Sequence, residues 1–253
     1  DMKMNVSILQ MPVKIGERAI NMETAEKMTA CAMSAPQKPD VLVMPEMWDI
    51  GFYPKNLAES ADYLGNEGKA FLSALAQKYH VNIVGGSISE KNDTKIHNHA
   101  YIFNREGQEV ADYIKTHLFS HAGENKRFAA GNELSVFELD GIKCGIIICY
   151  ELRFPELART LAMKGIEILF IPAAWPLKRA DHWDTLIKAR AIENQFFVTA
   201  VNTFGHSVIV NPWGETISEE ISENIISASI DTAQIAEVRN SINVYNDRRP
   251  ELY

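Results

Sequence analysis

The stretch Gly145-Ile146-Ile147-Ile148-Cys149-Tyr150-Glu151-Leu152-Arg153-Phe154-Pro155 decides the fold. Its first part closes an apolar, β-branched run over residues 142–148, the pattern of a strand buried on both faces. Pro155 stands at a plausible first helical position of the segment 155–164, and Gly165 follows the end of that segment. A second buried run comes at 168–171. Strand, helix, strand is the unit of a parallel sheet, and Cys149 falls at the carboxyl end of its first strand. Open α/β sheets gather their active sites there. Read alone, Cys149 is either an inert buried thiol, common for Cys, or a nucleophile that needs a base or a nearby cation.

Outward from this unit the same alternation continues. Residues 6–9, 41–44, 81–85 and 197–201 read as further buried strands, and 17–34, 68–80 and 181–194 as amphipathic helices. In the last of these, Asp181 with Asp184 three residues on is a variant capping box. Residues 101–103, 107–113, 135–139, 206–210 and 225–230 read as hairpin or meander strands, separated by turns such as Arg105-Glu106-Gly107 and Asp140-Gly141. The mixture predicts an α/β fold, a mixed sheet layered with helices in one domain over 1–253. Residues 239–253 are polar with little periodicity, either a loose tail or an arm docked on a neighbour.

Composition narrows the function. The 253 residues carry 25 Lys and Arg against 33 Asp and Glu, a net charge of −8 without any basic run, which argues against a nucleic-acid partner. No apolar run approaches the roughly 18–20 residues of a membrane span, and the amino end lacks a signal-peptide pattern. Cys31, Cys144 and Cys149 form no C-x-x-C pair, and an odd number cannot pair fully, so a reducing cytoplasm is expected. His97 and His99 lie in a turn-like stretch. His117 and His121, four apart, lack the intervening Glu and the third ligand of a zinc site, so no metal is expected.

Two further residues gain meaning beside Cys149. Glu46 follows Val41-Leu42-Val43-Met44-Pro45 at another strand end, and the loop after it, Met47-Trp48-Asp49-Ile50-Gly51-Phe52, is apolar enough to line a pocket. Lys115 ends the strand-like segment 109–114. Each taken singly reads as an ordinary surface Glu or edge Lys.

Together, Met44-Pro45-Glu46, Tyr113-Ile114-Lys115-Thr116-His117-Leu118-Phe119 and Cys149-Tyr150-Glu151-Leu152-Arg153-Phe154-Pro155-Glu156 resemble the nitrilase superfamily of carbon–nitrogen hydrolases, whose triad is Glu, Lys and Cys in that order. The 69- and 34-residue separations fit, and the resemblance continues through residues 189–195, Gly205-His206-Ser207 and 211–215, nearly the whole chain. Within the superfamily the likeness is greatest to ω-amidases, which hydrolyse the distal amide of 2-oxoglutaramate and 2-oxosuccinamate. Another small amide, a nitrile or an N-carbamoyl amine is the alternative substrate, and a non-catalytic scaffold the alternative class.

The resemblance implies a four-layer αββα sandwich, a homodimer with 239–253 as a crossing arm, and no metal or organic cofactor. It implies Glu46 as general base, Cys149 as nucleophile, and Lys115 with the Tyr150 N–H as oxyanion donors. Glu124 is expected as a second carboxylate beside the lysine, with Glu133 as its alternative. Tyr53, Trp175 and Arg127 are expected to contact substrate, whereas Arg153 and Arg190 are expected in ion pairs with Glu151, Glu156 or Glu193. The run Asn202-Thr203-Phe204-Gly205 departs from the family in being a shorter loop.

Overall fold

Along β1 (Lys3–Leu9), Met4, Val6 and Ile8 are buried in the same apolar seam, while Leu9 belongs to a second one. β2 (Val41–Val43) repeats the alternation, Val41 and Val43 in the first seam and Leu42 in the second. Side chains on a strand alternate between its faces, so this sheet is covered on both sides. The computed structural model describes residues 2–253 and shows what covers it.

β3 (Asp62–Tyr63), β4 (Asn82–Val84), β5 (Ile88–Lys91), β6 (Ile96–Phe103) and β7 (Glu109–Ile114) extend the first sheet. The second sheet holds β8 (Val136–Leu139), β9 (Ile142–Ile146), β10 (Ile168–Ala173), β11 (Phe197–Asn202) and β12 (Val208–Val210), in the order β12-β11-β10-β9-β8. β13 (Glu219–Ser222) and β14 (Ile225–Asp231) return to the first sheet beside β1. In the second sheet β9, β10 and β11 run parallel, and the edge strands β8 and β12 antiparallel. On β6 one edge carries β5 and then β4, while the other carries β7.

The two sheets pack face to face through one core that joins Val6, Val43 and Ile102 to Phe137, Ile146 and Phe170. α1 (Arg18–Met33) and α3 (Asn66–Tyr79), separated by the single turn α2 (Leu57–Ser60), cover the outer face of the first sheet through Ala25, Ala32, Leu72 and Leu75. α4 (Pro155–Met163) and α5 (Ala180–Asn194) cover the second through Leu157, Leu161, Trp183 and Ile187. The layering is αββα, and each large apolar side chain it buries contributes roughly 1.5–3 kcal/mol.

Two expectations change, at His97 and His99 and at Asp181, and two further segments gain a place. His97 and His99 lie on β6, because cross-strand pairing with β5 and β7 overrides the turn-like local sequence. His117 and His121 share no helix; the first follows β7 and the second sits in a short 3-10 turn. α5 begins at Ala180, so Asp181 occupies its first turn rather than its cap. Finally, α6 (Ala233–Ser241) runs into the expected arm. Tyr245 beyond it stacks under Arg239 and donates its hydroxyl to the Asn194 carbonyl of the same chain.

Candidate active site

Strand ends supply the site. After β2, the Met44 N–H still donates to Val84 O, and the chain then turns at Pro45-Glu46. Gly86 permits this turn: with φ +59, any Cβ there would lie 2.0 Å from the Pro45 carbonyl. The following loop is buried as its apolar sequence requires, with the Trp48 indole N–H donating to Gly85 O at 2.7 Å. Lys115 leaves β7 with its own N–H on Asn98 O and its carbonyl accepting from the Gly131 N–H. Cys149 opens a short 3-10 turn after β9 at φ +50, a left-handed backbone that a non-glycine residue holds only under constraint.

That constraint is Glu151. Its buried carboxylate accepts from the Ile148 N–H at 2.7 Å, the Thr116 N–H at 2.9 Å, the His117 N–H at 3.0 Å and the Tyr113 hydroxyl. Burial would raise its pKa, but hydrogen bonds from His117, Thr116 and Ile148 outweigh it and hold the carboxyl below its ordinary value. Glu151 thus ties the cysteine turn to the lysine segment. It makes no pair with Arg153.

At the centre, Lys115 Nζ lies 2.9 Å from Glu46 Oε1 and 2.9 Å from Glu124 Oε2, all three fully enclosed. Asn98 Nδ2 donates to both carboxylates, at 2.8 and 3.1 Å, and the backbone N–H groups of Ala174 and Phe119 donate to Glu46 and Glu124. Burial acting alone would lower the Lys115 pKa. The two carboxylates more than reverse that and keep it protonated. Burial, opposed by Lys115 and reinforced by Glu124, raises Glu46 above its ordinary value. Burial, with the Glu46 charge beside it, pushes the Cys149 thiol well up, so the resting form is the thiol. A carboxylate poised to accept a proton stands beside a neutral thiol, with a fixed cation next to both.

A cavity of about 170 Å³ opens above Cys149 and Lys115. Tyr53 and Trp175 line it, with Phe52, Phe119, Tyr150 and Phe204. Phe204 comes from the short loop after Asn202. Arg127 does not line the cavity; its guanidinium stacks on the Tyr53 ring at 4.3 Å and faces a different groove. Arg153 and Arg179 line it instead. Arg153 lies 4.6 Å over the Trp175 ring and meets His182, while Arg190 pairs with Glu193 at 2.9 Å as expected. Glu124 rather than Glu133 stands at the lysine. Asn98 and Arg179 belong to none of the sequence motifs; Asn98 stands out only in the structure, as an uncharged polar residue fully buried within β6.

Two face-to-face sheets with Glu, Lys and Cys meeting at their strand ends define the nitrilase class of enzyme. The chain belongs to the carbon–nitrogen hydrolase family, whose pattern matches residues 5–240, and it is a carbon–nitrogen hydrolase. It is 42% identical to the 2-oxoglutaramate amidase of Bacillus subtilis (strain 168) over the full length of both chains. It is 33% identical to omega-amidase NIT2 of Danio rerio, with 99% of this chain and 96% of that one covered. Among solved structures, Saccharomyces cerevisiae Nit3, a member of branch 10 of the nitrilase superfamily, matches with TM-score 0.88 at 28% identity, covering 96% of this chain and 95% of that one.

Proposed function

We propose that the enzyme releases ammonia from the distal amide of a short 2-oxo acid, 2-oxoglutaramate or 2-oxosuccinamate, through a thioester on Cys149. One observation carries the substrate class: the cavity wall includes Arg153 beside aromatic rings and, among the described residues, no Asp or Glu. An apolar slot with a cation on its wall suits an amide whose other end is a carboxylate. The 42% identity to a 2-oxoglutaramate amidase supports the same substrate.

The chemistry follows from the charges. Glu46 takes the Cys149 proton, and Sγ adds to the amide carbon. The carbonyl oxygen gains the displaced electron pair and is met by the Lys115 ammonium and the Tyr150 N–H. Collapse restores the carbonyl and breaks the C–N bond as Glu46 passes its proton to nitrogen, so ammonia leaves. Glu46 next deprotonates water, which adds to the thioester carbon, and the departing thiolate recovers that proton. Glu124 and Asn98 hold Lys115 and Glu46 in place, and Tyr53, whose hydroxyl has no partner among the described residues, meets a substrate oxygen. Residues 1–253 act as one hydrolase domain.

The test is ammonia release from 2-oxoglutaramate beside a nitrile, an N-carbamoyl amine and butyramide. The ω-amide is expected to give the highest kcat/KM. Activity confined to the nitrile or carbamoyl amine would discard the substrate and keep the triad. Because Glu46 must be unprotonated to act and its pKa is raised, kcat/KM is expected to fall on acidification at a pH above the ordinary glutamate value of about 4.3.

The enzyme is further proposed to be a cytoplasmic homodimer. Three free thiols suit a reducing compartment, and Ile192 on α5, 54% exposed and lying against Gly214 next to the 43% exposed Trp213, offers an apolar face to a second copy. Light scattering is expected to return about twice the 28.4 kDa chain mass; a monomer mass would remove the dimer.

A further inference from the structure

We propose that Arg179 is a second guanidinium for the substrate carboxylate, closing with Arg153 into a two-arginine clamp built on Trp175; this rests on the ω-amide reading above. Trp175 is rigidly held. Its N–H donates to Asn202 Oδ1 at 2.8 Å, its carbonyl accepts from Asn202 Nδ2 at 3.0 Å, and its ring packs on Trp183. One property of the indole serves each arginine. The ring face carries the Arg153 guanidinium, and the Nε1–H donates to the Arg179 carbonyl at 2.8 Å.

Arg179 is pinned by its backbone at both ends, since its N–H also donates to Pro176 O at 2.9 Å. Its guanidinium, by contrast, has no hydrogen-bond or carboxylate partner among the described residues, although the residue is half-buried on the cavity wall. Its guanidinium carbon lies 5.9 Å from the centre of the Phe119 ring. A partly desolvated fork of donors without acceptors gains most from a bound carboxylate. Arg153 is similarly free of carboxylates; both its terminal nitrogens stand 3.3 Å from His182 Nδ1, an acceptor that sets the plane of the fork. An ionised carboxylate has about four acceptor sites, enough for two forks. The arginines come from different segments, after β9 and after β10. Gripping the carboxylate from both fixes its distance from Cys149 and so selects the chain length of the amide acid.

Arg179→Met tests this with Arg179→Lys, on 2-oxoglutaramate, succinamate and neutral butyramide. For the anionic amides, KM is expected to rise about 10- to 100-fold with kcat within about threefold, as for loss of a charged hydrogen-bonding partner. Butyramide turnover should be unchanged, and Arg179→Lys should recover part of the loss. An equal fall on charged and neutral amides, or an unchanged KM for the charged ones, overturns the clamp. A second readout needs no turnover: glutarate should protect Cys149 from iodoacetamide at about 10-fold lower concentration in the parent enzyme than in Arg179→Met. If the parent enzyme ignores ω-amides while this protection difference persists, the substrate reading fails and the clamp stands. Equal protection in both proteins removes the clamp whatever the substrate is.

Discussion

Cys149→Ala is expected to lower ammonia release by at least about 10⁴-fold, the scale on which loss of a covalent nucleophile acts. The fold should not notice. Cys149 sits at φ +50, where alanine bears the same backbone constraint, and the Glu151 carboxylate that fixes the turn accepts from Ile148, Thr116, His117 and Tyr113 rather than from the thiol. The melting temperature should therefore stay within about 3 °C, since a change of 1 kcal/mol moves a domain of this size by about 2–4 °C. The parent enzyme mixed with substrate should carry an adduct of the substrate mass less ammonia, and the variant none. Retention of more than about 1% of the activity would exclude Cys149 as the nucleophile.

Much of the layering was legible because its signal is local. Short Val- and Ile-rich runs bounded by Pro or Gly marked β1, β2, β4, β9, β10 and β11. Glu46 and Cys149 stand at the carboxyl ends of such runs and Lys115 at the end of the strand-like segment 109–114, and the structure gathers the three there. Short partners were harder to see. β3 has two residues and β13 four exposed ones, too few for any period, and they exist because β5 and β14 offer open edges. The wiring between strand ends was illegible for a different reason. Asn98 bonds Glu46 across 52 residues and Ala174 reaches it across 128, so no local pattern reports them. The arginines show the same limit. Arg153 lies in a Glu-rich segment that suggests ion pairs, but Glu151 is turned inward to backbone N–H groups and Trp175 offers its ring instead. Arg127 is near Glu124 in sequence, yet the 3-10 turn at Glu124–Lys126 directs it behind Tyr53.

Lys115→Met is the other substitution with a large expected effect, because it damages stability and rate by separable routes. The lysine is a single cation between two enclosed carboxylates, 2.9 Å from each. Its removal leaves Glu46 and Glu124 with the Asn98 amide, the two backbone donors and, for Glu46, the Cys149 thiol, none of them charged. Breaking a buried ion pair in this way costs about 3–5 kcal/mol, or roughly 6–20 °C in melting temperature. The sign of its pH dependence follows. Without the cation, Glu46, which burial and the neighbouring Glu124 charge already raise, should be raised further above its unfolded value, so the folded protein binds its proton more tightly. Such groups add stability at low pH and lose it as pH rises through the folded value. The variant should therefore lag its parent more at pH 8 than at pH 5. Activity should fall by at least about 10²–10³-fold through loss of the oxyanion cation, and further because a protonated Glu46 cannot act as base. Adding Glu124→Gln separates the routes. It removes the second charge, so most of the melting temperature should return, whereas the rate should not, since no cation is restored. Recovery of the rate in the double variant would mean that Lys115 serves only to neutralise its neighbours. An unchanged melting temperature at pH 8 in the single variant would mean that the carboxylates do not depend on it.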